Sequence, residues 1–396
     1  MKFKILSIIF LFLTFIANAQ SDLFCNSTVK VGAEQTNEYL SLIKNKRVGV
    51  VGNQSSTIGN IHLVDSLLSL NINVVKVFSP EHGFRGKADA GEKVKSVVDS
   101  KTGLAIVSLY GNNKKPKAEQ LKNIEVLIFD IQDVGARFYT YISTLHYVME
   151  ACAENNVELI ILDRPNPNGH YVDGPVLEGK YKSFIGMHKI PVVHGMTIGE
   201  YAKMIHGESW VKSKALKFTI IKCKGWNHTQ FYRLPIKPSP NLPNMLSIYL
   251  YPSLCFFEGT VVSVGRGTDT PFQIVGHPMF KPGSFSFKPM PSFGAKHPKL
   301  ENELCNGINF SSVGLNVIQQ QKQLQLGWLI DFYNELNLKE KFFLKNDFIN
   351  LLAGSDKLKN QIMSGKTEAQ IRASWQNDLN TFKAIRLKYL LYSDFE

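Results

Sequence analysis

A glutamate and a histidine stand side by side where a strand should end. Val74-Val75-Lys76-Val77-Phe78 reads as a buried strand, and Ser79-Pro80-Glu81-His82-Gly83-Phe84-Arg85-Gly86 follows it directly. In an open parallel sheet, the segments just past the carboxyl ends of strands line the ligand crevice. A carboxylate beside an imidazole suits proton transfer, and flanking glycines let the backbone approach a ligand closely.

The same placement recurs along the first half of the chain. Asn53 and Gln54 follow one strand-like run and Tyr110 another. Asp130, Gln132, Asp133, Arg137, Tyr139 and Tyr141 follow a fourth, and Asp163, Arg164 and Asn166 a fifth. A single polar residue there is a cap or a turn former, whereas five consecutive clusters argue for one lined crevice. Plainer readings stand beside the chemical ones. Glu81 can pair with Arg85, and Asp130 and Asp133 can cap the helix that begins near Tyr139. Asp163-Arg164-Pro165-Asn166-Pro167 can be a rigid turn with an internal ion pair, and His194 a satisfied buried histidine. Asn241, in Pro238-Ser239-Pro240-Asn241, can be a turn residue, in a polar loop able to reach a sugar.

The elements that must hold these residues follow from apolar spacing. Strands are expected at 47–53, 74–78, 104–110, 124–131 and 157–162. Helices are expected at 61–70, after Pro116, and at 140–155, where Ile142, Leu145, Met149 and Cys152 share a face. Apolar strands separated by helices predict a Rossmann-like α/β domain over residues 20–189, its parallel sheet covered by helices on both faces. Beyond it the chain is rich in proline, with strand-like pieces at 217–223 and 259–264 and helical patterns at 326–336, 348–352 and 367–392. This predicts a smaller C-terminal α+β domain over 190–396, packed against the first.

Residues 1–19 read as a secretory signal peptide. Lys2 and Lys4 precede an apolar run over 5–16, and Ala17-Asn18-Ala19 fits a small-x-small cleavage site. The run is too short to span a bilayer, so the mature chain is expected to be secreted, periplasmic or extracellular, with no membrane span after cleavage. The net charge of +12 falls to +10 without Lys2 and Lys4, and suits an anionic cell-wall polymer as well as it suits plain solubility. The lysines are scattered and form no nucleic-acid patch. Five cysteines without a C-x-x-C pair indicate neither a zinc site nor a dense disulfide scaffold. No G-x-G-x-x-G, P-loop, H-E-x-x-H or G-x-S-x-G motif is present, so neither cofactor nor metal is expected.

Several of these motifs, taken in order, resemble one family, the exo-β-N-acetylmuramidases (NamZ-type glycoside hydrolases). They are Pro80-Glu81-His82-Gly83-Phe84-Arg85-Gly86, the segment from Asp130 through Arg137 to Tyr141, and Asp163-Arg164-Pro165-Asn166-Pro167. Gly174-Pro175-Val176-Leu177, His194-Gly195-Met196-Thr197, Pro238-Ser239-Pro240-Asn241, Glu258-Gly259-Thr260 and Gly265-Arg266-Gly267-Thr268 complete the set. The resemblance implies a peptidoglycan hexosaminidase, its active-site cleft at the interface of the two domains, that releases non-reducing terminal β-linked N-acetylmuramic acid from cell-wall glycans and muropeptides without a cofactor. The family's proposed catalytic glutamate falls on Glu81. On that basis Glu81 is expected to act as general acid, His82 to tune it, and Asp130 or Asp133 to supply a second carboxylate. One or two of Arg85, Arg137, Arg164 and Arg266 are expected to clamp the lactyl carboxylate, with Tyr139 and Tyr141 as a stacking platform that also offers hydroxyls. Asn53, Gln132, Asp163, Asn166, His194, Ser239, Asn241, Glu258 and Thr268 complete the expected binding set. One departure stands at Val264, where many relatives carry glutamate before Gly-Arg-Gly; that carboxylate's part is expected to shift to Glu258. The alternatives are a non-catalytic muropeptide-binding protein and a hydrolase of another terminal amino sugar.

Overall fold

A computed structural model describes residues 24–81, 83–85, 97–212, 215–281 and 285–396. The expected signal peptide and His82 lie outside the described residues. Strands are β1 (Val48–Gly52), β2 (Thr57–Ile58), β3 (Ile61–His62), β4 (Val74–Ser79), β5 (Val97–Val98), β6 (Ala105–Ser108), β7 (Val126–Asp130), β8 (Glu158–Leu162) and β9 (Phe218–Ile221). They continue with β10 (Ile274–His277), β11 (Phe285–Phe287) and β12 (Cys305–Asn309). Seven form one sheet in the order β5-β6-β4-β1-β7-β8-β9, parallel throughout except for the antiparallel edge strand β5. The sheet thus takes its last parallel strand from beyond residue 190.

The central strands lack polar alternation because both faces are buried. On β7, Val126 and Ile128 enter one core cluster while Leu127 and Phe129 enter the other; Ile160 and Ile161 on β8 divide in the same way. The first cluster is closed by α1 (Thr36–Ile43) and α2 (Leu63–Ser69), through Tyr39, Ile43, Leu63 and Leu67. After the short α3 (Ala118–Leu121), the other face is covered by α4 (Tyr141–Asn155) and α5 (Ile198–Gly207). The expected α/β sheet with helices on both faces is therefore present, with element ends shifted by a few residues.

The second half adds α6 (Met245–Leu254), α7 (Leu315–Gln321), α8 (Gly327–Leu336), α9 (Phe348–Ala353), α10 (Lys357–Met363), α11 (Glu368–Ala373) and α12 (Gln376–Arg386) around an antiparallel sheet, β10-β12-β11. Its apolar residues, among them Phe257, Phe332 and Phe342, continue the α4 core without a break. Two expectations fail here. Residues 259–264 are no strand, because the carbonyls of Phe257, Glu258, Thr260 and Val262 turn onto the Lys299 ammonium. Residues 367–392 are two helices and a tail, broken where Trp375 turns into the core.

Polar groups buried at the strand ends hold the frame. Asp130, at the end of β7, is fully buried and takes Nε and Nη2 of Arg164 at 2.6 and 2.9 Å; the same Nη2 also donates to the Thr57 carbonyl. Asp163, after β8, accepts four hydrogen bonds, from Arg164 N, Gly199 N, Thr197 Oγ1 and the Tyr392 hydroxyl. Burial nevertheless pushes its carboxyl up to about 6. Gly199 is required there, since a Cβ would stand 2.8 Å from that carboxylate. Removing one partner of a buried pair strands the other charge. Arg164→Leu is therefore expected to cost about 3–5 kcal/mol in urea unfolding, and a loss below about 1 kcal/mol would refute this role for the pair.

Candidate active site

Strand β4 delivers Glu81 to the carboxyl edge of the sheet, two residues past its end. The chain from β7 to α4 brings Phe138, Tyr139, Thr140 and Tyr141 beside it. Ser239, Asn241, Leu242, Tyr251 on α6, Arg266 and Phe272 close the other side. Together they line a pocket with about 440 Å³ of free space, its open mouth included. Its carboxylate, its guanidinium and its aromatic walls suit a small polar ligand.

Glu81 is half-buried. The Thr140 hydroxyl donates to its Oε2 at 3.4 Å, and the Tyr110 hydroxyl also hydrogen-bonds it. Burial first, and then the Glu81 charge, pushes Tyr110 and Tyr141 above the usual phenol range. Tyr139 and Tyr141 form an edge-on pair with centroids 4.8 Å apart. Both hydroxyls donate to the Pro238 carbonyl, at 2.8 and 3.3 Å, and Asn53 Nδ2 donates to Tyr141. The expected free hydroxyls are thus held by the main chain, and the tyrosines bring their rings to the pocket.

Arg266 is the one cation among the described lining residues. Its Nε donates to Glu258 Oε1 at 2.7 Å, and its guanidinium lies over the Phe272 ring. Burial opposes the Glu258 charge, but Arg266 and then Lys299 outweigh it and hold the carboxyl below the usual carboxylate range. Lys299 hydrogen-bonds the carbonyls of Phe257, Glu258, Thr260 and Val262, and burial pushes its ammonium down to about 8.

Of the residues expected at the site, the pocket gathers Glu81, Tyr139, Tyr141, Ser239, Asn241 and Arg266, with Glu258 behind Arg266. The others are drawn into the frame. Arg85 grips Asp99 with Nε and Nη2 at 2.8 and 2.7 Å and does not line the pocket. Arg137 is fully buried on the carbonyls of Pro175, Ile190 and Leu352, and Asp130 and Arg164 pair with each other. Gln132 bridges the Asp133 and Pro165 carbonyls, while Asn53 ties Ser55 and Asn166 ties Met196 to Asn168. His194 is buried 3.7 Å from Asp133, and Thr268 closes its own turn on the Gly265 carbonyl. Asp133 accepts from Gly135 N beneath the tyrosines and does not line the pocket. Sequence reasoning missed Tyr110 as a partner of Glu81, together with Tyr251, Phe272 and Lys299. Tyr251 lies in a helix apolar all round, where nothing separates a wall from a core residue. Among the described residues, no group of three or more His, Cys, Asp or Glu side chains could hold a metal ion.

Fold and pocket together define an α/β protein with a polar and aromatic pocket at the carboxyl edge of a parallel sheet. Two family models, described as exo-β-N-acetylmuramidase NamZ, N-terminal and C-terminal, match residues 48–246 and 249–392. The chain belongs to this family. The peptidoglycan β-N-acetylmuramidase NamZ of Bacillus subtilis (strain 168) is 37% identical, over 98% of this chain and 99% of the relative. Two crystal structures of DUF1343 family proteins from Bacteroides fragilis NCTC 9343 share the fold. One has a TM-score of 0.86 at 49% identity, the other 0.78 at 31%, each covering 92% of this chain and 99% of its own.

The Glu258–Arg266 pair makes a pH-dependent forecast. The folded carboxyl titrates below its unfolded value, so the pair's contribution is present above the ordinary range and lost as pH falls through the lower, folded value. Glu258→Gln is expected to lower stability by about 1–3 kcal/mol at pH 7. The gap from wild type should narrow below pH 4.5 in urea titrations; a gap that widens there would count against the pairing.

Proposed function

We propose that this protein is an exo-acting glycoside hydrolase that releases non-reducing terminal β-linked N-acetylmuramic acid from peptidoglycan glycans and muropeptides. The observation that carries the reading is a pocket that holds both a carboxylate, Glu81, and a guanidinium, Arg266, against aromatic walls. Family membership and the identity to a named peptidoglycan β-N-acetylmuramidase support it. A leader over residues 1–19, basic and then apolar, supports export toward such a substrate.

In this reading Glu81 is the general acid. Its proton passes to the glycosidic oxygen as the bond from that oxygen to the anomeric carbon breaks, and the remaining glycan leaves as an alcohol. Water completes the hydrolysis at the anomeric carbon and returns a proton to the site. Thr140 and Tyr110 orient the carboxyl through their hydrogen bonds. The rings of Tyr139 and Tyr141 form the floor against which the sugar rests. Glu258 holds one edge of Arg266, so that its terminal nitrogens meet the lactyl carboxylate, which N-acetylglucosamine lacks. Asp130 is already paired with Arg164, so Asp133, beneath the tyrosines, is the aspartate left to support developing positive charge.

The wild type should release 4-nitrophenol from the aryl β-N-acetylmuramide but not from the glucosaminide. Glucosaminide cleavage without muramide cleavage would overturn the assignment. Glu81→Gln should lower the muramide rate by about 10²–10⁴-fold, and a rate kept within about threefold would exclude Glu81 as the acid. Arg266→Lys should weaken N-acetylmuramic acid as a competitive inhibitor by about tenfold, and N-acetylglucosamine far less. Equal effects would remove the clamp.

A further inference from the structure

A terminal sugar held in the pocket leaves the rest of its glycan outside. Beside the pocket the chain makes the turn Met290-Pro291-Ser292-Phe293-Gly294-Ala295. Its two ends are anchored on residues that line or adjoin the pocket. At one end Met290 N donates to the Gly267 carbonyl, next to Arg266, at 2.9 Å. The approach is so close that a Cβ on Gly267 would stand 2.5 Å from the Met290 oxygen. At the other end Asn241 Nδ2 donates to the Gly294 carbonyl at 2.7 Å. Ser292 and Ala295 exchange two backbone hydrogen bonds and tighten the tip.

This tip leaves apolar side chains in water. Phe293 is 64% exposed and Met290 47% exposed, although the core nearby is dense with buried aromatics. A large exposed aromatic on an anchored turn has lost chain freedom without gaining burial, which is the profile of a ligand platform. The apolar face of a pyranose ring matches a phenyl ring in size and polarity. Sugar stacking also needs little side-chain reorganisation, because the turn is already tied at both ends.

We propose that Met290 and Phe293 form a subsite for the leaving sugar, the N-acetylglucosamine joined to the terminal muramic acid. This rests on the muramidase reading of the Glu81 pocket and adds to it a second sugar with its own contact surface. The protein would then bind a disaccharide unit through two surfaces, the muramic acid inside the pocket and its neighbour on the turn. Truncation of Phe293 should weaken ligands that carry the second sugar relative to ligands that lack it.

The test uses binding to the full chain carrying Glu81→Gln, so that nothing is cleaved. Dissociation constants are measured for the disaccharide N-acetylmuramyl-β-1,4-N-acetylglucosamine and for methyl β-N-acetylmuramide. Adding Phe293→Ala should raise the disaccharide-to-methyl ratio of Kd values by about three- to tenfold, and Phe293→Trp should restore it. An unchanged ratio in Phe293→Ala would overturn the subsite while leaving the pocket assignment intact. Failure of both ligands to bind the Glu81→Gln protein would instead overturn the muramidase reading, and the subsite with it. A matched melting temperature between the two backgrounds checks that the exposed substitution leaves the fold in place.

Discussion

Two opposite charges shut away from water hold the centre of this protein together. Asp130 closes β7 and Arg164 follows β8, and removing either would strand the other's charge in the interior. Their pairing fixes the ends of two neighbouring parallel strands. Asp163, the next residue along, extends the hold to α5 through Thr197 and Gly199 and to the chain's end through Tyr392. The segment carrying Phe138 to Tyr141 leaves β7 from this fixed point, and the parallel register of β1 with β4 and β7 sets where Glu81 arrives beside it.

The pocket itself is shared between the two halves of the chain. The sheet half supplies Glu81 and the tyrosine rings, and the second half supplies the arginine and the loop over residues 238–242. The Pro238 carbonyl joins them by receiving both tyrosine hydroxyls. On the far side the arrangement is layered. Lys299 gathers four carbonyls around the turn that carries Glu258, and Glu258 in turn aims Arg266. A buried ammonium thus shapes the turn behind the cation that lines the pocket.

Much of the sheet could be read from the chain because burial on both faces writes itself as unbroken apolar runs. The strands at 74–79 and 126–130 lie within a residue or two of where the pattern put them. The site was readable in part, since strand-end position tells which residues come near the edge but not which way they turn. Glu81, Tyr139 and Arg266 face the pocket, whereas Arg85, Arg137 and Arg164 satisfy carboxylates and carbonyls inside the frame. An arginine that binds a ligand and one that ties two loops look alike in sequence, because the partner that separates them is distant along the chain. Lys299 was invisible for the same reason, its carbonyl partners lying about forty residues away. The strand expected at 259–264 failed because a local pattern cannot register that remote ammonium.

The buried guanidinium of Arg137 carries a mechanical consequence. Its nitrogens bind carbonyls at Pro175 and Ile190 on one side and at Leu352, in α9, on the other, and burial already pushes its titration down to about 9. Any hinge-like parting of the two halves would break the Leu352 bond and take from the guanidinium one of its three carbonyl partners. One side chain of the sheet half is thereby riveted to the main chain of α9, at a point remote from it in sequence.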